Sequence, residues 1–345
     1  MRSPRGRIAE GIAAALFLVI LFSSPALSTD ARAAGASPAD ATVAIQAAQR
    51  QFNAGNYAAA IATLQSAVPQ NPSSAEVYYW LGRSYYEIRD FDNAVVQAEK
   101  SVSLDPKNSL YHQWLGRAYG EKADRDRSFS LARKVKKEFQ EAVRLNPSNI
   151  DARRDLEQYC LDAPWIAGGS KDEALEQVNA IAALDPVQGH LARAVYARQA
   201  LKKLDEAESE VRQVLSTKPK SSDPYFEVVG FFQAQNKPSD MTTAIQAAAQ
   251  VNPNDPRVAY FRGVAAVLAN ANLPSAEQDL KSYLASTPDR SDWPAHAAAR
   301  EWLGRLYEAQ GKRAEAAEQY RAALQLEPQR KEARARLQRL EKAAQ

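Results

Sequence analysis

The tetrapeptide Trp-Leu-Gly-Arg occurs three times in this chain, at 80–83, 114–117 and 302–305. Each copy is followed two residues later by a tyrosine: Tyr85, Tyr119 or Tyr307. The first two copies lie 34 residues apart. That is the period of a helix–turn–helix unit, which cannot bury its apolar face alone and must stack on further copies of itself. An Ala-rich amphipathic stretch and then an Asp-Pro, Asn-Pro or Glu-Pro pair follow each copy. A chain written this way is an array of helical hairpins.

The prolines keep the same interval. Pro72 and Pro106 are 34 residues apart, as are Pro219 and Pro253, while Pro186 and Pro219 are 33 apart. Proline lacks a backbone donor and pushes the residue before it out of the α region, so it punctuates the helices. Between the marks, Leu81, Gly82 and Tyr85 are followed by Ala94 and Ala98. Large residues there fill the gap between two helices, and small ones let the helices approach.

This pattern resembles the tetratricopeptide repeat (TPR) family over roughly residues 41–328. The first repeat carries Ala48, Gly55, Tyr57, Ala60, Leu64, Ala67 and Pro72, and the second Leu81, Gly82, Tyr85, Ala94, Ala98 and Pro106. The third has Leu115, Gly116, Tyr119, Ala142 and Pro147, and the last Leu303, Gly304, Tyr307, Gly311, Ala316, Tyr320, Ala323 and Pro328. The middle repeats keep only fragments such as Ala174, Ala207 and Gly263. The tryptophan departs from the family pattern, standing two residues later than usual, directly before Leu-Gly.

The resemblance implies an all-α fold: an α-solenoid of about eight helix-turn-helix repeats, near 41–74, 75–108, 109–149, 150–187, 188–221, 222–255, 256–290 and 297–330. Such an array folds as one elongated unit, because each hairpin contacts only its neighbours. Residues 329–345 alternate charge with Ala and Leu, with Leu337 and Leu340 facing away from Arg336, Arg339 and Lys342. A charged capping helix is the expected closure for the last repeat.

The N-terminus reads differently. Arg2, Arg5 and Arg7 precede an apolar run from Ile12 to Phe22, and small residues around Pro25-Ala26-Leu27-Ser28 give cleavage-like spacing. Residues 1–28 therefore read as a secretory signal peptide, and 29–40 as a flexible lead-in. The run is shorter than the roughly 20 residues of a comfortable span. An uncleaved anchor to the inner membrane is the alternative, and membrane contact is expected only in that case. The expected location is the bacterial periplasm or cell envelope.

Composition narrows the function. Cys160 is the only cysteine, so neither an internal disulfide nor a Cys-x-x-Cys site is available. It falls at the buried repeat position that Tyr85 and Tyr119 occupy, and reads as a small core residue. The chain from 29 onward has 41 basic and 40 acidic side chains, which gives no global attraction to nucleic acid. The cluster Arg133, Lys134, Lys136 and Lys137 reads as a solvated helix face, with a patch for an anionic partner as the alternative.

No His-Glu-x-x-His, Gly-x-Ser-x-Gly or Gly-x-Gly-x-x-Gly motif occurs, and His112, His190 and His296 lie in different repeats. No catalytic residue, metal or cofactor is expected. The expected function is a non-enzymatic scaffold for a protein or peptide partner. A glycan- or cell-wall-associated accessory subunit, with Trp165 and Trp293 as stacking platforms, is the alternative. Oligomeric state is not set by the sequence.

Three intervals exceed 34 residues by five or more. Pro106 to Pro147 is 41, with the surplus around 123–129; Pro147 to Pro186 is 39, with the surplus at 162–170; Pro288 to Pro328 is 40, with the surplus at 287–294. The first surplus either lengthens the inter-helix loop or starts the second helix early. In the second, Pro164 ends a helix, Gly168-Gly169 allows a left-handed turn, and Ser170 with Glu173 makes a capping box. Trp165 and Ile166 then either tuck under the loop or stand out as a recognition knob.

The resemblance also implies a concave groove lined by the first helix of each hairpin. Its repeat positions 2, 5, 9 and 12 fall on Glu76, Tyr79, Arg83 and Tyr86, then Leu110, Gln113, Arg117 and Gly120, then Asp151, Arg154, Gln158 and Leu161. Tyr79, Arg83, Tyr86, Gln113, Arg117, Arg154 and Gln158 are the expected peptide-binding stripe, since guanidinium forks and tyrosines suit an extended backbone or a carboxylate. A chaperone-tail carboxylate clamp is not expected, because Ile45 and Gln49 stand where it needs Lys and Asn.

Overall fold

The starts of the helices show why the chain breaks where it does. Asn56, Asp90, Asn108, Ser128, Asn149, Ser170, Asp185 and Asp255 each precede a helix, and each side chain accepts a hydrogen bond from a first-turn N–H. These caps satisfy donors that a helix leaves unpaired. Pro186 and Pro256 each occupy the first helical position, where the missing N–H costs nothing. Prolines therefore start helices here as well as following them.

The computed structural model describes residues 38–342. They form α1 (Pro38–Asn53) and α2 (Tyr57–Ala67), α3 (Ala75–Glu87) and α4 (Phe91–Leu104), α5 (Ser109–Asp126) and α6 (Phe129–Leu145), and α7 (Ile150–Asp162) and α8 (Lys171–Leu184). The second half comprises α9 (Pro186–Tyr196) and α10 (Leu204–Thr217), α11 (Asp223–Ala234) and α12 (Pro238–Val251), α13 (Pro256–Leu268) and α14 (Leu273–Ser286), and α15 (His296–Ala309) and α16 (Arg313–Leu326), closed by α17 (Lys331–Lys342). A π-helical turn, Ala197–Leu201, extends α9. The described residues contain no strand, so the fold is an all-α solenoid of eight helix pairs and a terminal helix. No helix among them is long and apolar enough to cross a membrane. The signal-peptide reading at 1–28 lies outside the described residues, as does most of the lead-in; Pro38 to Asp40 already belong to α1.

Four hairpins close over a glycine of their first helix: Gly82, Gly116, Gly263 and Gly304. A Cβ at Gly116 or Gly304 would fall 2.5 Å from the ring of Phe139 or Tyr320, so only glycine lets the second helix come this near. Apolar packing divides at mid-chain. One continuous buried cluster runs from Leu191 to Ala333, while the first half holds separate clusters at Ala41–Leu81 and Ala94–Ala174.

The 123–129 surplus is absorbed into helix. The connection stays two residues long, at Arg127 and Ser128, while α5 and α6 reach 18 and 17 residues. The 162–170 surplus forms a 3-10 turn, Trp165–Ala167, ended by Gly168 in the left-handed region at φ +101°. Gly169 is needed for space instead, since a Cβ there would lie 1.8 Å from the Ala163 carbonyl oxygen. Ser170 caps α8 as expected from the capping box.

The third surplus does something no single repeat could. The Tyr57 hydroxyl donates to the Asp289 carbonyl at 3.1 Å, and the backbone N–H and hydroxyl of Ser291 each donate to a Glu87 oxygen at 2.9 Å. Pro288 packs on Gly55. The segment before α15 thus fastens the last repeats to the first two, more than 200 residues away.

Candidate functional site

In the first half, α3 and α5 gather the expected stripe around one indole. The Arg83 guanidinium lies 4.3 Å from the Trp114 ring centre, 4.7 Å from Trp80 and 4.8 Å from Phe52. It donates to the Tyr79 hydroxyl at 3.3 Å, and its Nε is buried without a partner. Arg117 stacks on the other side of the motif, 4.9 Å from Trp114, and its Nε donates to Asp155 at 2.8 Å. Gln113 donates to the same Asp155 oxygen at 2.7 Å. The Tyr86 hydroxyl donates to Glu121 at 3.3 Å, and burial pushes its pKa up.

Two of these residues do not line an open groove. Tyr79 is only 6% exposed and Gln113 only 2%. The reason is the tight stacking of α3 on α5, which sets the Tyr79 ring 5.1 Å from Tyr111 and 5.4 Å from Trp80. Arg154 reaches past a whole repeat to α11, where its fork meets Glu227 at 2.6 and 2.5 Å. Gln158 is exposed and bonds Asp162 at 2.6 Å. All seven residues therefore have partners inside the chain.

The second half contains a larger cleft, of about 1170 Å³, walled by α11, α13 and α15. Phe226 and Phe261 stack in it at 5.4 Å. Arg257 covers Phe226 at 4.4 Å, and Trp293, delivered by the 287–294 segment, lies 5.6 Å from the same guanidinium. Five charged side chains line this cleft. Asp223 is paired with Arg257, Glu227 with Arg154, and Asp292 with Arg290. Arg305 alone has no hydrogen-bond or ion-pair partner among the described residues, and lies flat on Trp302 at 3.8 Å. Burial, then repulsion from Arg336, holds its pKa below the usual arginine value.

The three Trp-Leu-Gly-Arg arginines thus share one local geometry and differ in what lies beyond it. Tryptophan and arginine three apart are neighbours on a helix face, and the pair stacks in all three copies. The repeats on either side give Arg83 the rings of Phe52 and Trp114, and the next repeat gives Arg117 a carboxylate. Beyond Arg305 the next helix, α17, brings the cation Arg336 instead.

Phe226, Phe261 and Arg257 are not among the residues expected from sequence, and Trp293 is expected only as a stacking platform of the glycan alternative. A signal existed for the first. Positions 2, 5, 9 and 12 carried on to the hairpin at 222–255 give Asp223, Phe226, Gly230 and Gln233, and all four line the cleft. The insert residues Trp165 and Ile166 are 85% and 50% exposed, so they stand out rather than tuck under the loop. His112 sits in the core between two acceptors, Glu138 at 2.6 Å and the Pro106 carbonyl at 3.0 Å. Cys160 is buried, and desolvation pushes its thiol up to about 12. Flat apolar faces beside an unpaired guanidinium offer contact area and one charged donor.

A tetratricopeptide repeat family model matches residues 45–109 and 268–331. Among solved structures, the chain is similar to yeast Tom70 at 14% identity, over 90% of this chain and 66% of that one, with a TM-score of 0.64. It is also similar to a tetratricopeptide repeat protein from Parabacteroides merdae at 14% identity, over 88% and 99% of the two chains, with a TM-score of 0.50. At these identities the likeness is one of fold. No curated protein matches the sequence.

Proposed function

The chain is a tetratricopeptide repeat protein, and from that premise we propose that it is an exported, non-enzymatic scaffold binding a protein segment on its inner wall. The fold is one of protein-interaction scaffolds, and both clefts open on the wall made by the first helix of successive hairpins. The observation that carries the reading is Arg305, an unpaired guanidinium beside the Phe226–Phe261 stack. Leaving a half-buried cation unpaired is unfavourable, and an incoming carboxylate would relieve it with a charge-assisted bond. The occupant that suits the cleft best is an extended peptide with an acidic group and an apolar or aromatic side chain. Tyr86, Arg117 and Gln158, which line the first-half cleft, offer a secondary surface along the same wall.

The glycan alternative is weaker on geometry. Guanidinium groups of Arg290 and Arg257 already lie 5.0 and 5.6 Å from the Trp293 ring, where a sugar would stack. The test is a selection of random peptides on the purified chain, run beside sedimentation with peptidoglycan. Enrichment of acidic, aromatic-containing peptides is the expected result. Sedimentation with peptidoglycan and no peptide enrichment would establish the accessory-subunit reading instead. Export is tested by the intact mass from the native host: loss of a segment ending between about Ser28 and Ala34 is expected, and a retained N-terminus in the membrane pellet would establish the anchor.

A further inference from the structure

The first two surplus segments meet at the edge of the first-half cleft, where exposed side chains stand that the peptide-binding reading does not use. The connection at 127–129 and the turn at 164–167 line one cleft, so two irregularities 35 residues apart in sequence become neighbours in space. Three of the most exposed large apolar side chains stand here: Trp165 (85%), Ile166 (50%) and Phe129 (61%).

Their exposure is built in. The turn is tied to α6 by Lys136, which donates to the Gly168 carbonyl at 2.7 Å, and to α7 by the Ser170 N–H, which donates to the Cys160 carbonyl at 2.9 Å. Ala167 plugs the turn into the core, with its carbonyl oxygen 2.7 Å from the Tyr159 hydroxyl. A turn so well anchored holds its indole outward by construction. The other four tryptophans each touch an aromatic ring or a guanidinium; Trp165 touches neither.

Charge supplies the second observation. Arg133 and Lys137 lie on the same face of α6 as Phe129, and Arg133 reaches only the Ile166 carbonyl, at 3.5 Å. Arg127, Arg133, Lys134 and Lys137 have no carboxylate partner among the described residues, whereas Lys136 is paired with Glu173 at 2.5 Å. In a chain whose net charge is close to zero, this is a local cationic rim around three protruding apolar groups.

We propose that this edge is a docking face for an anionic phospholipid surface, with Trp165, Ile166 and Phe129 entering the headgroup region and the α6 cations meeting lipid phosphates. Indoles favour that interface, and clustered Lys and Arg are drawn to anionic lipid. A protruding tip enters a fluid interface without a complementary pocket, whereas an acidic protein would have to provide one. That contrast favours lipid over protein as the occupant.

The test uses the chain from residue 36 onward, which is a compact unit by itself and lacks the N-terminal apolar run. It is sedimented with vesicles of phosphatidylglycerol and phosphatidylcholine, or of phosphatidylcholine alone. Binding to the anionic vesicles only is expected, falling with salt. The pair Trp165→Ala and Ile166→Ala, and separately Arg133→Glu with Lys137→Glu, should each weaken it by about tenfold or more with unchanged circular dichroism. The proposal is overturned if the native chain ignores anionic vesicles, or if both pairs bind like the native chain. Retention on immobilised polyglutamate without vesicle binding would equally overturn it, in favour of an acidic protein partner.

Discussion

Arg83 and Arg305 occupy the same place in the same tetrapeptide, yet one is caged and the other is free. Arg83 has the rings of Phe52, Trp80 and Trp114 within 5 Å, drawn from three successive first helices. Arg305 has Trp302 beneath it and open cleft beside it, because the neighbouring helix α17 brings the Arg336 guanidinium in place of a second ring. The motif itself specifies only the stacked pair within one helix. Whether the arginine holds the solenoid together or faces a ligand depends on the helix that packs next.

The largest expected effect breaks this comparison on stability. Arg83→Ala empties an aromatic cage and should lower unfolding free energy by about 2 kcal/mol. Arg305→Ala relieves burial and the repulsion from Arg336, and should stay within about 0.5 kcal/mol of the native chain. Denaturant unfolding of both variants decides it; equal losses would mean that the two arginines are alike.

The next effect lies at the seam between the halves. Glu157 is 3% exposed beside Arg154 and Glu227, with one carboxyl oxygen unpartnered. Burial first, with Glu227 adding to it against the pull of Arg154, raises its pKa from 4.5 to about 8. The folded state thus favours the neutral carboxyl. Its contribution is fully present below about pH 4.5 and is lost as pH rises through 8. Glu157→Gln should therefore stabilise the chain by about 1–3 kcal/mol at pH 9 and change little at pH 4. A difference that does not vary with pH would remove Glu157 from the account.

What the sequence conveyed, and what it did not, divides along the same line. The 34-residue interval conveyed the helix pairs, since the N-caps and glycines such as Gly116 and Gly304 act within their own hairpins. Trp80 and Arg83, three apart, could be read as a stacked pair for the same reason. The Asp155 partner of Arg117 is 38 residues away and in the next repeat, so nothing local to Arg117 announces it. Phe226 was within reach of the repeat positions, although the hairpin at 222–255 keeps few family residues. Trp293 was not. Its placement rests on a segment docked across more than 200 residues, and that meeting depends on small rotations summed over all the repeats.

A smaller effect concerns that docked segment. Glu87→Ala removes both acceptors of Ser291 and should cost about 1 kcal/mol, as the site is exposed to water. Limited proteolysis within 287–294 should become faster, because only the Tyr57 bond and the Pro288–Gly55 contact then hold the segment to the first hairpin. An unchanged cleavage rate would show that the contact with α3 does not restrain the segment.

The most direct test is the affinity of one selected peptide for the native chain, Arg305→Ala and Arg83→Ala, measured by fluorescence anisotropy at a temperature where all three are folded. Loss of the charge-assisted bond should weaken Arg305→Ala by about tenfold or more, while Arg83→Ala binds within about threefold of the native chain. The reverse order, with Arg83→Ala weakened and Arg305→Ala unchanged, would contradict the assignment and return the binding face to the first half of the wall.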